Sequence, residues 1–350
     1  MEKDWSKKLR YGWSFLAGKL LHTNLQILYA CNFRCQICDF WKEGFRPGER
    51  LSLEQATLVS DKLARLGPQI VSIGGGEPLM HPELDGIVRA LARHHFPVMI
   101  CNGYFVDEAR ARSLWEAGLY EVSVSVDYND AALHDAQRGM PGAFDRALAA
   151  LDALNRARTD PLQRVHMIAV VMDDNLEHLE PLIRRCEAMD ITFLVTLYSH
   201  SRGKKPLRAG RSEVGERLMA LKKAHPRFVA LRGYVRRFSQ AIEEGGMGPC
   251  HTGKSLCNID VRGEVSLCIE RLAEPVGNIL TDDIFTLRDR LRAAHAGNQC
   301  KACWTSCRGS IESLKGARFF TNLSDYRRMT RPVPLGTARK TPATAATPIR

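Results

Sequence analysis

No stretch of this 350-residue sequence approaches the ~20 consecutive apolar residues that span a bilayer. Its N-terminus, MEKDWSKKLR, opens on charges and carries no apolar signal-peptide region. These two absences lead us to expect a cytoplasmic chain, whose thiols stay reduced. Eleven cysteines in that setting read as metal ligands more readily than as disulfides. A third absence is a charge excess in the body of the chain. The net charge is +11, but Lys3, Lys7, Lys8, Arg10 and Lys19 against Glu2 and Asp4 leave +3 in residues 1–24. Arg331, Arg339, Lys340 and Arg350 put +4 in residues 331–350, so only +4 is spread over the 306 residues between. That balance does not call for a nucleic-acid partner.

What is present is an ordinary globular composition, 45% hydrophobic and 25% charged, long enough for one large domain and a smaller one. Short apolar runs recur: LQILYA (25–30), QIVSI (69–73), PVMIC (97–101), EVSVSV (121–126), VHMIAVV (165–171) and ITFLVTLY (191–198). Most are β-branched and continuous, as strands buried on both faces are. Helical patterns at 53–66, 82–94, 106–117, 142–157 and 176–188 separate them. Six such units imply a parallel sheet with right-handed crossovers. They are fewer than the eight of a closed barrel, so the expected fold is α/β, an open partial (β/α)6 barrel over residues 25–200. A basic connector (201–249), a small cysteine-rich α+β domain (250–320) and a tail (331–350) without hydrophobic pattern, expected to be disordered, complete the chain.

In parallel folds the chemistry sits at the C-terminal ends of the strands, and the distinctive residues do follow the strands. Cys31 follows the first, GGGEP (74–78) the second, Asn102-Gly103 the third, Asp127 the fourth, and Tyr198 and His200 the sixth. Nine cysteines fall into two groups, at 31–38 and 250–307, while Cys101 and Cys186 stand alone in apolar surroundings as core residues. Three thiols spaced C-x3-C-x2-C can hold zinc or an iron–sulfur cluster. The spacing favours the cluster, whose fourth corner would then be open to a substrate.

CNFRCQIC, followed by GGGEP and by SVD at 125–127, resembles the radical S-adenosylmethionine superfamily. The resemblance implies that Cys31, Cys35 and Cys38 hold a [4Fe–4S] cluster whose fourth iron is chelated by S-adenosylmethionine. One electron, from a partner such as flavodoxin or ferredoxin, then yields a 5′-deoxyadenosyl radical that abstracts hydrogen from a substrate. It further implies contacts to S-adenosylmethionine from Ile37, Gly75, Gly76, Glu77, Asn102, Ser125, Asp127, Arg138 and Asn175. Residues 250–307 resemble the SPASM and twitch domains of the same superfamily, which carry auxiliary clusters. The set Cys250, Cys268, Cys300 and Cys303 matches one auxiliary [4Fe–4S] cluster, with Cys257 and Cys307 as alternative ligands.

His166, Tyr198, His200 and Arg202 are the expected substrate contacts, and the substrate itself (peptide, lipid or small molecule) is left open. A non-catalytic iron–sulfur electron carrier and a zinc-binding interaction protein are the competing readings. They differ from an enzyme in needing no ligand pocket. Near the N-terminus, Trp5, Leu9, Trp13, Leu16 and Leu20 recur at helical spacing. The expected reading is a helix packed on the partial barrel. The alternative is peripheral membrane contact through residues 5–21.

Overall fold

The computed structural model describes residues 2–42, 48–199, 203, 205, 213–314 and 318–335. The six apolar runs form six strands: β1 (His22–Leu28), β2 (Ile70–Gly75), β3 (Phe96–Cys101), β4 (Glu121–Ser125), β5 (Arg164–Val171) and β6 (Thr192–Leu197). Each pairs in parallel with its sequence neighbour. Helices α2 (Leu53–Ala64), α3 (Leu84–Ala92), α4 (Glu108–Glu116), α6 (Ala143–Arg156) and α7 (Leu176–Met189) return the chain between strands. The helix α1 (Glu2–Leu16) precedes them and a short α5 (Ala131–Arg138) follows β4. The sheet does not close, as expected from six units.

Local chemistry sets the helix starts. Ser52 and Gln55 form a reciprocal capping box at α2. The side chains of Asp107 and Asp130 accept backbone amides at the starts of α4 and α5. The fully buried Val71, Ile73, Val122, Val124, Met167 and Phe193 of the strands meet Val59, Ile87, Leu151 and Ile183 of the helices in one core.

The cysteine-rich region shares this sheet instead of forming a separate layer. Its first strand, β7 (Leu256–Ile259), pairs in parallel with β1. Strands β8 (Glu264–Ser266) and β9 (Gly277–Asn278) follow antiparallel, giving the order β6-β5-β4-β3-β2-β1-β7-β8-β9. Arg262-Gly263 forms the hairpin turn between β7 and β8, with Gly263 at φ +80. The segment from 201 contributes α8 (Val214–Ala224), α9 (Arg232–Val235) and α10 (Phe238–Glu243). The C-terminal part adds α11 (Ile284–Ala296), α12 (Ser306–Ser313) and α13 (Arg318–Thr330).

One expectation changes. Disorder from residue 331 does not hold for residues 331–335: Val333 donates to the Pro161 carbonyl, and Arg158 donates to the carbonyls of Val333 and Pro334. The remainder of the expected tail, 336–350, lies outside the described residues. The N-terminal helix does pack on the barrel, Tyr11 against Phe96, but not through its apolar stripe. Leu20 is buried, but Trp5, Leu9, Trp13 and Leu16 are exposed. Among the described residues, no helix is long and apolar enough to cross a membrane.

Candidate functional site

The loop after β1 carries Cys31, Cys35 and Cys38, and the end of α5 holds it. Arg34 N donates to the Arg138 carbonyl at 3.2 Å, and Gln36 N to the Gln137 carbonyl at 3.0 Å. The three thiols are partly exposed. Burial pushes Cys31 up to about 12, with Glu77, Cys35 and Cys38 adding to the rise. Burial raises Cys35 too, against the pull of the Arg138 guanidinium. Thiols in this state must shed protons to bind metal.

The glycines of GGGEP are required by the protein's own backbone. A Cβ on Gly75 would stand 1.9 Å from the Leu28 carbonyl oxygen, and one on Gly76 2.0 Å from that of Ala30. Gly75 also sits at φ +124, open to glycine and strained for other residues. Their absent side chains let Gly76 N reach the Leu28 carbonyl and Glu77 N the Ala30 carbonyl, which binds β2 to the cysteine loop. Both glycines also line the cavity described below.

Glu77 is 1% exposed. Its Oε2 accepts from Asn102 N at 2.8 Å and its Oε1 from Leu79 N at 3.2 Å. Burial pushes it up to about 7, although those two amides oppose the rise. Asn102 donates through Nδ2 to Asn32 Oδ1, tying the end of β3 to the cysteine loop.

Asp127 and Asn175 form a buried clasp. Asp127 Oδ1 accepts from Val170 N at 2.9 Å and its Oδ2 pairs with Arg138 Nη2. Asn175 donates to the carbonyls of Asp127 and Val170 and accepts from Met172 N. Both residues are fully buried, and their bonds join β4, β5 and α5. Arg138 is the member of the group that reaches the cavity.

Ile37 packs with Tyr128, Met172 and Tyr198. Ile37, Ser125 and Tyr198 line the cavity. His166 does not. It sits near the N-terminal end of β5, buried, 2.5 Å from Thr192 Oγ1 and 3.6 Å from the Glu121 carboxylate. His200 and Arg202 lie outside the described residues.

The second cysteine group meets the first across one cavity of about 340 Å³, within the size range of ligand pockets. Cys38, Gly74, Gly75 and Gly76 bound it on the barrel side, and Cys250, Cys268, Cys300 and Cys303 on the other. Burial raises Cys268 to about 12, with Cys303 and Cys250 among the contributors. Arg308, paired with Glu312 at 2.7 Å, donates to the carbonyls of Cys303 and Pro249, bridging the two segments that bring these thiols. Cys257 points elsewhere, buried on β7 with Sγ 3.5 Å from Thr23 Oγ1. Cys307 lines the cavity beside Asn24. Among the described residues, no three Cys, His, Asp or Glu side chains converge on a single ion; the thiols line a space.

Sequence reasoning missed Asn24, Gln26 and Ser72, which line the cavity from β1 and β2. Gln26 Nε2 donates to Asn258 Oδ1, while its Oε1 is buried without a hydrogen-bond partner among the described residues. The signal available was a glutamine inside the apolar run LQILYA.

An open parallel barrel with a three-cysteine loop after its first strand, whose Cys38 lines a ligand-sized cavity, defines an α/β barrel protein with a thiol-lined pocket. Residues 25–186 match the Radical SAM superfamily: this chain carries a radical SAM domain. That family implies a [4Fe–4S] cluster and S-adenosylmethionine, and the three cysteines of one loop are thiolate donors of the kind such a cluster takes.

Among curated proteins, the chain is 28% identical over 330 residues to the mycofactocin maturase MftC of Mycobacterium ulcerans, covering 85% of this chain and 84% of that one. It is 33% identical over 133 residues to an AdoMet-dependent heme synthase of Methanosarcina barkeri, covering 38% of each. Its fold resembles that of Streptococcus suis SuiB bound to precursor peptide SuiA, with a TM-score of 0.65 at 14% identity over 82% of this chain and 69% of that one. It also resembles native anSMEcpe with bound AdoMet, with a TM-score of 0.60 at 15% identity over 87% and 96%.

Proposed function

We propose that this chain is a radical S-adenosylmethionine enzyme that modifies a peptide. Cys31, Cys35 and Cys38 would hold a [4Fe–4S] cluster, which together with S-adenosylmethionine would supply a 5′-deoxyadenosyl radical for hydrogen abstraction. The chain's own residues do the rest. The buried Glu77 carboxylate, raised by desolvation, is stabilised by a donor or cation brought beside it and so favours the ligand's amino group. Arg138, held by Asp127, presents a fixed guanidinium for a carboxylate. Ile37 offers an apolar wall for an adenine.

Cys250, Cys268, Cys300 and Cys303 form the ligand set for an auxiliary [4Fe–4S] cluster. Cys257 is spent in the core and Cys307 faces Asn24. An auxiliary cluster held by these thiols would favour a net oxidation or bond formation, since it would offer a place for a substrate electron.

The observation that carries this reading is the single cavity bounded by both thiol groups. A non-catalytic electron carrier has no use for it. A peptide is favoured as substrate by the relation to a maturase over 85% of the chain. It is also favoured by Gln26 Oε1, a buried acceptor beside the cavity that an amide N–H would satisfy. The test is anaerobic reduction of the iron-loaded protein with S-adenosylmethionine. Release of 5′-deoxyadenosine is expected, and its acceleration by a peptide identifies the substrate class. A reduced, iron-loaded protein that leaves S-adenosylmethionine intact contradicts the reading.

A further inference from the structure

Helix α1 is mounted with its apolar stripe outward. Lys7 Nζ donates to the carbonyls of Ala92 and His95 and lies over the Phe96 ring. Tyr11 packs edge-on against Phe96 at 5.7 Å, and Phe15 against Phe319 of α13 at 6.0 Å. Ser14 is buried between them. At 3.6 residues per turn, the side opposite this seam is Trp5, Leu9, Trp13 and Leu16, and these are 67%, 59%, 68% and 78% exposed. Phe320 of α13, beside Phe319, is also 76% exposed. Soluble proteins rarely leave so large an apolar patch uncovered without a use for it.

Charge and shape say what covers it. Residues 2–19, helix α1 and the turn after it, carry Lys3, Lys7, Lys8, Arg10 and Lys19 against Glu2 and Asp4, a net charge of +3. On the helix, Arg10 and Lys8, the latter also reaching over the Tyr120 ring, flank the stripe on its two sides, so the patch complements an anionic surface. Two tryptophans and two leucines on a convex ridge, with cations at the margins, suit the headgroup boundary of a bilayer, where amphipathic side chains settle without a preformed groove. Position argues against the electron donor. The residues α1 touches, His95, Phe96 and Tyr120, lie at the N-terminal ends of the strands. Both cysteine groups open at the C-terminal ends, about 20 Å away for six residues of strand.

We propose that α1 docks this protein on an anionic lipid surface, with the cavity facing away from the bilayer. The proposal does not depend on the peptide reading of the cavity. It is tested by floating the iron-loaded full chain with phosphatidylcholine vesicles containing about one-third phosphatidylglycerol, and with pure phosphatidylcholine vesicles. Protein is expected to float with the anionic vesicles, at least about tenfold more than with the neutral ones, and to be released by high salt. Its tryptophan emission is expected to shift to the blue with the anionic vesicles. Trp5→Ser/Trp13→Ser is expected to abolish flotation and the shift while iron content and 5′-deoxyadenosine release stay as in the parent. The proposal is overturned if the parent stays unbound, if the double variant floats equally well, or if the blue shift follows protein concentration without vesicles. The last result assigns the face to a second copy of this chain.

Discussion

Arg138 Nη2 stands 2.7 Å from Asp127 Oδ2, a buried ion pair beneath the three-cysteine loop. The pair joins the end of α5, which holds the loop through the Arg138 and Gln137 carbonyls, to β5 through Val170 N. Asp127→Ala strands the guanidinium in the interior and frees that amide. Breaking such a pair costs about 3–5 kcal/mol. Thermal or denaturant unfolding of the metal-free protein should show a loss of this size, partly restored in Asp127→Ala/Arg138→Leu. If Asp127→Ala unfolds like the parent, Asp127 serves the ligand and not the fold.

Adjacent glycines should behave differently. An added methyl meets the Leu28 carbonyl oxygen at 1.9 Å at Gly75, but at Gly74 its nearest neighbour is Gln26 Oε1 at 3.7 Å. Gly75→Ala should therefore give insoluble or strongly destabilised protein. Gly74→Ala should fold with a parent-like melting temperature and lose binding in the cavity it lines. Equal melting temperatures for the two variants would show that the close approach of β2 to β1 is not obligatory.

Glu77 sets a pH dependence. Burial raises its carboxyl from 4.5 to about 7. The folded state then keeps a proton that the unfolded chain releases between these values, so this residue lowers stability as pH rises from about 4.5 to 7. The loss reaches about 3 kcal/mol, since each pKa unit carries ~1.4 kcal/mol. In Glu77→Gln this contribution disappears. The variant's stability relative to the parent should climb across that window and level off above pH 7, as read by urea unfolding of the metal-free proteins at several pH values. A constant difference from pH 5 to 7.5 counts against a raised carboxyl.

The auxiliary ligand set makes its own prediction. On a background lacking the first three cysteines, Cys250→Ala and Cys303→Ala should lose the remaining iron and loosen residues 250–314. Cys257→Ala should keep its iron, because that thiol is packed against Thr23. Iron analysis with near-ultraviolet circular dichroism reads both effects. Loss of all iron from Cys257→Ala, with retention in Cys250→Ala, makes this set wrong.

The barrel was legible in the sequence because strands covered on both faces are continuous apolar runs. Every one of the six falls on an observed strand within three residues at each end. The short α5 was missed: AALHDAQR is eight residues long with Leu133 as its one large apolar side chain, and it holds a loop. The placement of the cysteines after β1 was legible from spacing. The work of Asp127 and Asn175 was not, because a polar residue after a strand looks the same whether it meets a ligand or a neighbouring backbone. His166 misled for a related reason. It lies on a strand of the barrel, but toward the end away from the chemistry, where Glu121 and Thr192 occupy it. The outward face of α1 was equally hidden, since helical periodicity reveals an apolar stripe and not the direction it faces.

The most direct test of the central claim is 5′-deoxyadenosine release and iron content in the variant with Cys31, Cys35 and Cys38 all changed to Ala. With two four-iron clusters in the parent, the variant should retain about half of the parent's iron and release no 5′-deoxyadenosine on reduction with S-adenosylmethionine. Release at the parent's rate from that variant would contradict the assignment of the reactive cluster to the loop after β1.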